Sequence, residues 1–120
     1  MDDKSRHRRL PTPGDRLFLT EAGIETTMMY KKGWELRHFC LFELLQDDRF
    51  VDDLREYHTG LIEVALEHGV GHLLDGVHYR ASPDWGAKLG MSAQQLADLN
   101  AKGIEIYADL SRAYATEATP

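Results

Sequence analysis

Gly69 is followed without a break by the apolar run Val70 to Leu74, and it directly ends a stretch in which Phe50, Leu54, Tyr57, Leu61, Ile62 and Ala65 recur at helical spacing. That junction constrains the fold more than any other feature. A glycine just past a helical stripe supplies the left-handed residue that closes a helix, and Asp47 or Asp48 supplies its N-cap. Before this helix stands a second short apolar run, Leu17 to Thr20, set between the turn signal Pro13-Gly14-Asp15 and the break Ala22-Gly23. Two strands separated by one long helix cannot form a hairpin, so they are expected side by side and parallel through a right-handed crossover.

The pattern continues after the second strand. Asp75-Gly76 closes the strand, a loop is expected through Pro83 to Gly90, and Ser92-Ala93-Gln94-Gln95 reads as a capping box. Behind it Leu96, Leu99, Gly103, Tyr107, Leu110 and Tyr114 form one stripe, which predicts a second long helix ending near Tyr114. A short helix is expected over Phe39 to Leu45. The expected fold class is therefore α/β, in the order strand, helix, strand, helix. No internal repeat beyond this alternation and no low-complexity segment is found.

The chain of 120 residues is 42% hydrophobic and 28% charged, which is globular composition with enough apolar material for one core. The formal net charge of −6 argues against a nucleic-acid surface, because phosphate binding needs clustered cations. Residues 1 to 16 carry a local charge of +2 and read as a flexible basic arm, leaving residues 17 to 120 as the folded unit. No stretch approaches the ~20 apolar residues of a membrane span and no apolar signal-peptide core is present, so the expected location is cytoplasmic, with no membrane partner. A single cysteine, Cys40, lies in the apolar run Phe39-Cys40-Leu41-Phe42 and is expected in the core.

Both predicted strands finish with a carboxylate beside a small residue: Glu21-Ala22-Gly23 after the first and Asp75-Gly76 after the second. In parallel α/β sheets ligands bind beyond the carboxyl ends of strands, so Glu21 and Asp75 would share one mouth fit for an ammonium group. An acid before glycine can equally close a turn by accepting backbone N–H groups, and position alone does not choose between the two. The six histidines do not assemble a metal site. If the chain is extended, His72 and His78 lie about 20 Å apart with Asp75 facing the other way, and His58 and His68 are roughly 15 Å apart along a helix. No phosphate-binding loop, dinucleotide fingerprint, His-Glu-x-x-His or Gly-x-Ser-x-Gly motif occurs, and no residue is assigned a catalytic or metal-binding role.

At these strand ends the sequence resembles a known family. Leu17-Phe-Leu-Thr-Glu-Ala-Gly-Ile-Glu-Thr-Thr27 resembles the first strand and loop of the homocysteine S-methyltransferase family. Ala65-Leu-Glu-His-Gly-Val-Gly-His-Leu-Leu74 is similar to its first helix running into its second strand, and Tyr79-Arg-Ala-Ser-Pro-Asp-Trp-Gly-Ala-Lys-Leu-Gly90 to the loop that follows. The resemblance implies a TIM barrel in which zinc, held by three cysteines on later strands, binds the homocysteine thiol as thiolate for attack on a methyl donor, giving methionine. It implies that Glu21, Ala22 and Gly23 seat the amino-acid end of homocysteine where the family more usually has Asp-Gly-Gly. Asp75-Gly76-Val77-His78 departs from the Thr- and Pro-containing segment expected at the second strand.

A complete barrel needs ~250 residues, so the resemblance further implies an N-terminal portion, with the zinc ligands absent from this chain and little activity alone. Ala118-Thr119-Pro120 resembles the lead-in to the family's third strand. A second chain supplying the remaining strands is the implied partner. The alternative is a non-enzymatic interaction module that pairs with another chain through an exposed strand edge.

Overall fold

The computed structural model describes residues 14–116. Of the basic arm expected over residues 1–16, only Gly14, Asp15 and Arg16 fall within this range, all exposed; the lead-in at Ala118-Thr119-Pro120 lies outside the described residues.

The chain is mixed α/β, mostly helical, around one two-stranded sheet. Strand β1 (Phe18–Thr20) pairs in parallel with β2 (Gly71–Leu73), in the register Phe18 to Gly71, Leu19 to His72 and Thr20 to Leu73. Both strands are shorter than the apolar runs that predict them, although the backbone N–H of Gly71 also reaches the carbonyl of Leu17 at 3.0 Å. Gly71 leaves room for the Phe18 side chain beside it. A Cβ built at that position overlaps the Phe18 ring on the neighbouring strand. Gly71→Ala is expected to displace that ring and cost about 1–3 kcal/mol, read as a lowered urea midpoint; an unchanged midpoint would show that Phe18 moves freely.

Between the strands, Gly23 takes a left-handed conformation (φ 68°) and opens a helical turn, α1 (Ile24–Thr26), which continues as a π-helical turn over Thr27–Lys31. No element was expected here. Its sequence signal is the buried pair Ile24 and Met28, four residues apart. The short helix expected over Phe39 to Leu45 lies two residues later, as a 3₁₀ helix over Leu41–Gln46, because His38 and Phe39 have positive φ (52° and 59°) and break the turn before it. Arg80 donates to the His38 carbonyl at 2.6 Å and holds that break in place.

Helix α2 (Asp48–His68) has the caps its sequence indicates. The Asp47 carboxylate accepts the Arg49 backbone N–H at 2.9 Å, and Gly69 (φ 64°) closes the C-terminus, with Val70 N–H returning to the Ala65 carbonyl at 3.1 Å. Its buried stripe is Phe50, Val51, Leu54, His58, Ile62 and Ala65, so His58 occupies the inward line where Tyr57 and Leu61 are only half-buried. The loop expected from Pro83 to Gly90 instead contains a helix, α3 (Pro83–Lys88). Proline at the first helical position lacks only an N–H that would have no helical partner, and its fixed φ suits the turn. Helix α4 (Ala93–Tyr114) starts on the complete Ser92/Gln95 capping box and buries Leu96, Leu99, Gly103, Ile106, Tyr107 and Leu110.

The core lies where α2 and α4 meet the 3₁₀ segment. Met28, Phe42, Leu45, Phe50 and Leu54 are fully buried there, and Gly103 brings α4 close to Leu45. Cys40 is fully buried among them, a core thiol as its sequence context indicates. Among the described residues no helix is long and apolar enough to cross a membrane.

Candidate functional site

Parallel pairing brings the ends of β1 and β2 to the same side of the molecule. Glu21 follows the last residue of β1, Asp75 lies two residues beyond β2, and both line one cavity of about 200 Å³. Glu25 from α1, His78 and Tyr79 from the segment after β2, and Tyr107 from α4 also line it. The two acids at the strand ends therefore share one cavity, and the fold adds partners that the sequence does not announce.

The two acids differ in environment. Asp75 is exposed and accepts a hydrogen bond from His78 Nε2, or pairs with it when His78 is protonated, at 2.9 Å. This corrects the extended geometry expected for residues 72–78: the strand ends at Leu73, and the turn at Gly76, where His78 N–H meets the Gly76 carbonyl at 2.9 Å, folds His78 back to Asp75. Glu21 has only 16% of its side chain exposed, and its buried Oε2 has no hydrogen-bond partner among the described residues. Burial, then the negative charges of Asp75 and Glu25, push its carboxyl up to about 7, partly offset by His78. The turn-closing role open to Glu21 from sequence is not what its buried oxygen does.

Ala22 and Gly23 are exposed and, unlike Glu21 and Asp75, do not line the cavity. The Ala22 carbonyl accepts the Tyr57 hydroxyl at 2.9 Å, which ties the loop after β1 to α2. Gly23 sits at φ 68°, where any side chain is strained. The sequence marks out neither His58 nor Tyr107 as a site residue. His58 is wholly buried beneath Glu21, with Nε2 3.7 Å from Glu21 Oε2 and 2.8 Å from the Tyr107 hydroxyl. Burial, with a smaller contribution from His72, pushes His58 down to about 4, so it is neutral at pH 7. Burial also raises the Tyr107 hydroxyl well above the ordinary tyrosine value. The available signal was an imidazole midway between Leu54 and Ile62 on an apolar stripe.

Neither ring nitrogen of His72, on β2, has a hydrogen-bond partner among the described residues, and burial lowers its pKa. Among the described residues no three His, Cys, Asp or Glu side chains are placed to hold a metal ion. The zinc implied by the family resemblance finds no thiolate set here either, since the chain has one cysteine and it is sealed in the core beside the His38 carbonyl. These residues do not fit a zinc site.

Fold and site together define a mixed α/β chain with an acidic cavity at the carboxyl ends of adjacent parallel strands. No family model, curated protein or solved structure matches it.

Proposed function

We propose that residues 17–120 are the first two strand–helix units of a TIM barrel of the homocysteine S-methyltransferase type, and that the cavity between Glu21 and Asp75 seats the ammonium end of homocysteine. One observation carries this reading: acids that follow two adjacent parallel strands line a single cavity. That is where barrel enzymes place their ligands, and a carboxylate partly withdrawn from water binds a cation more strongly than one in bulk solvent.

Methyl transfer needs the homocysteine thiol as thiolate, and a free thiol of pKa ~8.5 is mostly protonated at pH 7. This chain's residues hold and orient the amino-acid end. Thiolate formation falls to the remaining strands of the barrel, supplied by further sequence or by a second chain. The 120-residue chain alone is expected to form no methionine from homocysteine and any methyl donor, with or without added zinc. Zinc-dependent turnover by the purified chain would overturn the proposal.

Co-expression with a chain carrying the remaining strands is expected to give a zinc-containing complex that binds homocysteine. In it, Glu21→Ala weakens binding by about tenfold, the scale of one charge-assisted contact. Unchanged affinity would remove Glu21 from the site. A second reading, a non-enzymatic module that pairs with another chain, draws on the two-stranded sheet and on the exposure of Leu17 (62%) and Leu73 (36%) beside it. A stable complex that lacks homocysteine affinity would favour that reading.

A further inference from the structure

His58 and Tyr107 lie 49 residues apart in the chain, yet their side chains meet at 2.8 Å directly behind Glu21. Their rings are also in edge contact, with centroids 4.7 Å apart at 73°. His58 has no exposed surface, and its Nδ1 has no hydrogen-bond partner among the described residues. The Tyr107 hydroxyl is the one hydrogen-bond partner of this imidazole among the described residues. With Nε2 committed to that hydroxyl, the imidazole stands 3.7 Å from Glu21 Oε2, beyond hydrogen-bond distance, and the carboxyl oxygen is left buried without a donor.

We infer that the buried His58–Tyr107 pair is a positioning device for Glu21, denying its carboxyl a hydrogen-bond donor so that Glu21 gives up a proton when a cationic group enters the cavity. The inference takes from the proposed function only that this cavity receives an ammonium group; it does not require homocysteine. The exchange is balanced. The carboxyl O–H bond breaks heterolytically, its proton passes to solvent, and the ammonium ion takes its place beside the carboxylate with no electron transfer.

The charged and titratable groups around Glu21 favour this behaviour. Asp75, beyond β2, and Glu25, on α1, oppose a second negative charge, while His78 favours it more weakly. From α2 come Tyr57 and neutral His58, and from α4 the un-ionised Tyr107 hydroxyl. Behind His58, His72 on β2 is also disfavoured as a cation by burial. Among the described residues no fixed positive charge from the helix side is seen to act on Glu21, whereas an entering ammonium group would balance its charge from the cavity.

Removing the Tyr107 hydroxyl releases His58 Nε2, which in the Nε2–H tautomer of the neutral ring can then donate to Glu21. In the full chain labelled with ¹³C at glutamate carboxyls, and with Glu21→Gln used to assign the signal, the Glu21 midpoint is expected near 7 and to fall by about one pH unit in Tyr107→Phe. His58→Phe keeps a ring in the slot but has no nitrogen to donate, and is expected to leave the midpoint at or above the wild-type value. An unchanged midpoint in Tyr107→Phe, or a lowered one in His58→Phe, would show a purely structural pair and overturn the inference.

The second measurement uses n-butylammonium chloride as probe. Its affinity for the wild-type chain is expected to be about tenfold weaker at pH 6 than at pH 8, and only about twofold weaker in Tyr107→Phe, following the ionised fraction of Glu21. Equal affinity at both pH values, or no binding at either, overturns the inference. Butylammonium that binds as expected while L-homocysteine does not would end the homocysteine reading and leave this one standing.

Discussion

Glu21→Gln is expected to stabilise the protein by about 3 kcal/mol at pH 8 and to change little near pH 4.5, because folding raises the Glu21 carboxyl from 4.5 to about 7. Between those values the folded chain binds a proton that the unfolded chain has already released. Stability is therefore lost as pH rises through this window, at about 1.4 kcal/mol per pH unit. A glutamine cannot ionise and escapes that loss. His58 acts with the opposite sign. Its folded value of about 4, against 6.5, means that the unfolded chain takes up a proton first as pH falls, so stability is lost downwards from about 6.5 to about 4.

The two losses are of similar size and nearly cancel in the wild type between about pH 4 and 7. Glu21→Gln exposes the His58 slope, to which His72 adds with the same sign, giving a variant whose stability rises by about 3 kcal/mol or more across that range. Urea midpoints at about pH 4.5, 7 and 8 measure both effects. Equal stability of variant and wild type at the highest pH would show that Glu21 is ionised in the folded protein at little cost. A gain in stability coupled to loss of cation binding is what a site residue held in an unfavourable environment should show.

Phe50→Ala is expected to cost about 4 kcal/mol, a large share of the ~5–15 kcal/mol that holds a domain of this size. Phe50 has no exposed surface and meets the Trp34 ring edge-on, with centroids 5.5 Å apart. Trp34 is itself fixed by a 2.8 Å hydrogen bond from its indole N–H to Asp53, so it cannot turn to fill the space a missing phenyl would leave. The vacated volume remains a cavity, and loss of the aromatic contact adds to it. Trp34 also makes the variant easy to follow by fluorescence during urea unfolding. A cost near ~1 kcal/mol would mean that the segment before α2 collapses onto the gap.

Much of the architecture is legible before folding. The limits of α2 and α4 follow from Asp47, Gly69 and the Ser92/Gln95 box, because a cap is satisfied by backbone groups about two to five residues away. Parallel pairing of β1 with β2 follows from the long helix between them, and the convergence of Glu21 and Asp75 on one mouth follows from the pairing. The elements misplaced are those whose causes lie elsewhere in the chain. The shift of the 3₁₀ helix depends on Arg80 gripping His38 from 42 residues away, and α3 packs against α4 where the buried Gly86 faces the Leu96 side chain, which a Cβ at that glycine would touch.

The sequence by itself determined where the helices begin and end, which way the strands run and which acids stand at their ends, all from interactions that close within a few residues or from the length of one connection. Only the tertiary structure decided what kind of acid Glu21 is. Its burial, its missing hydrogen-bond donor and the His58–Tyr107 pair behind it come from β1, α2 and α4 packing together. A carboxyl's proton affinity is set by the water and charge that distant segments remove or supply, and no local pattern of residues records that.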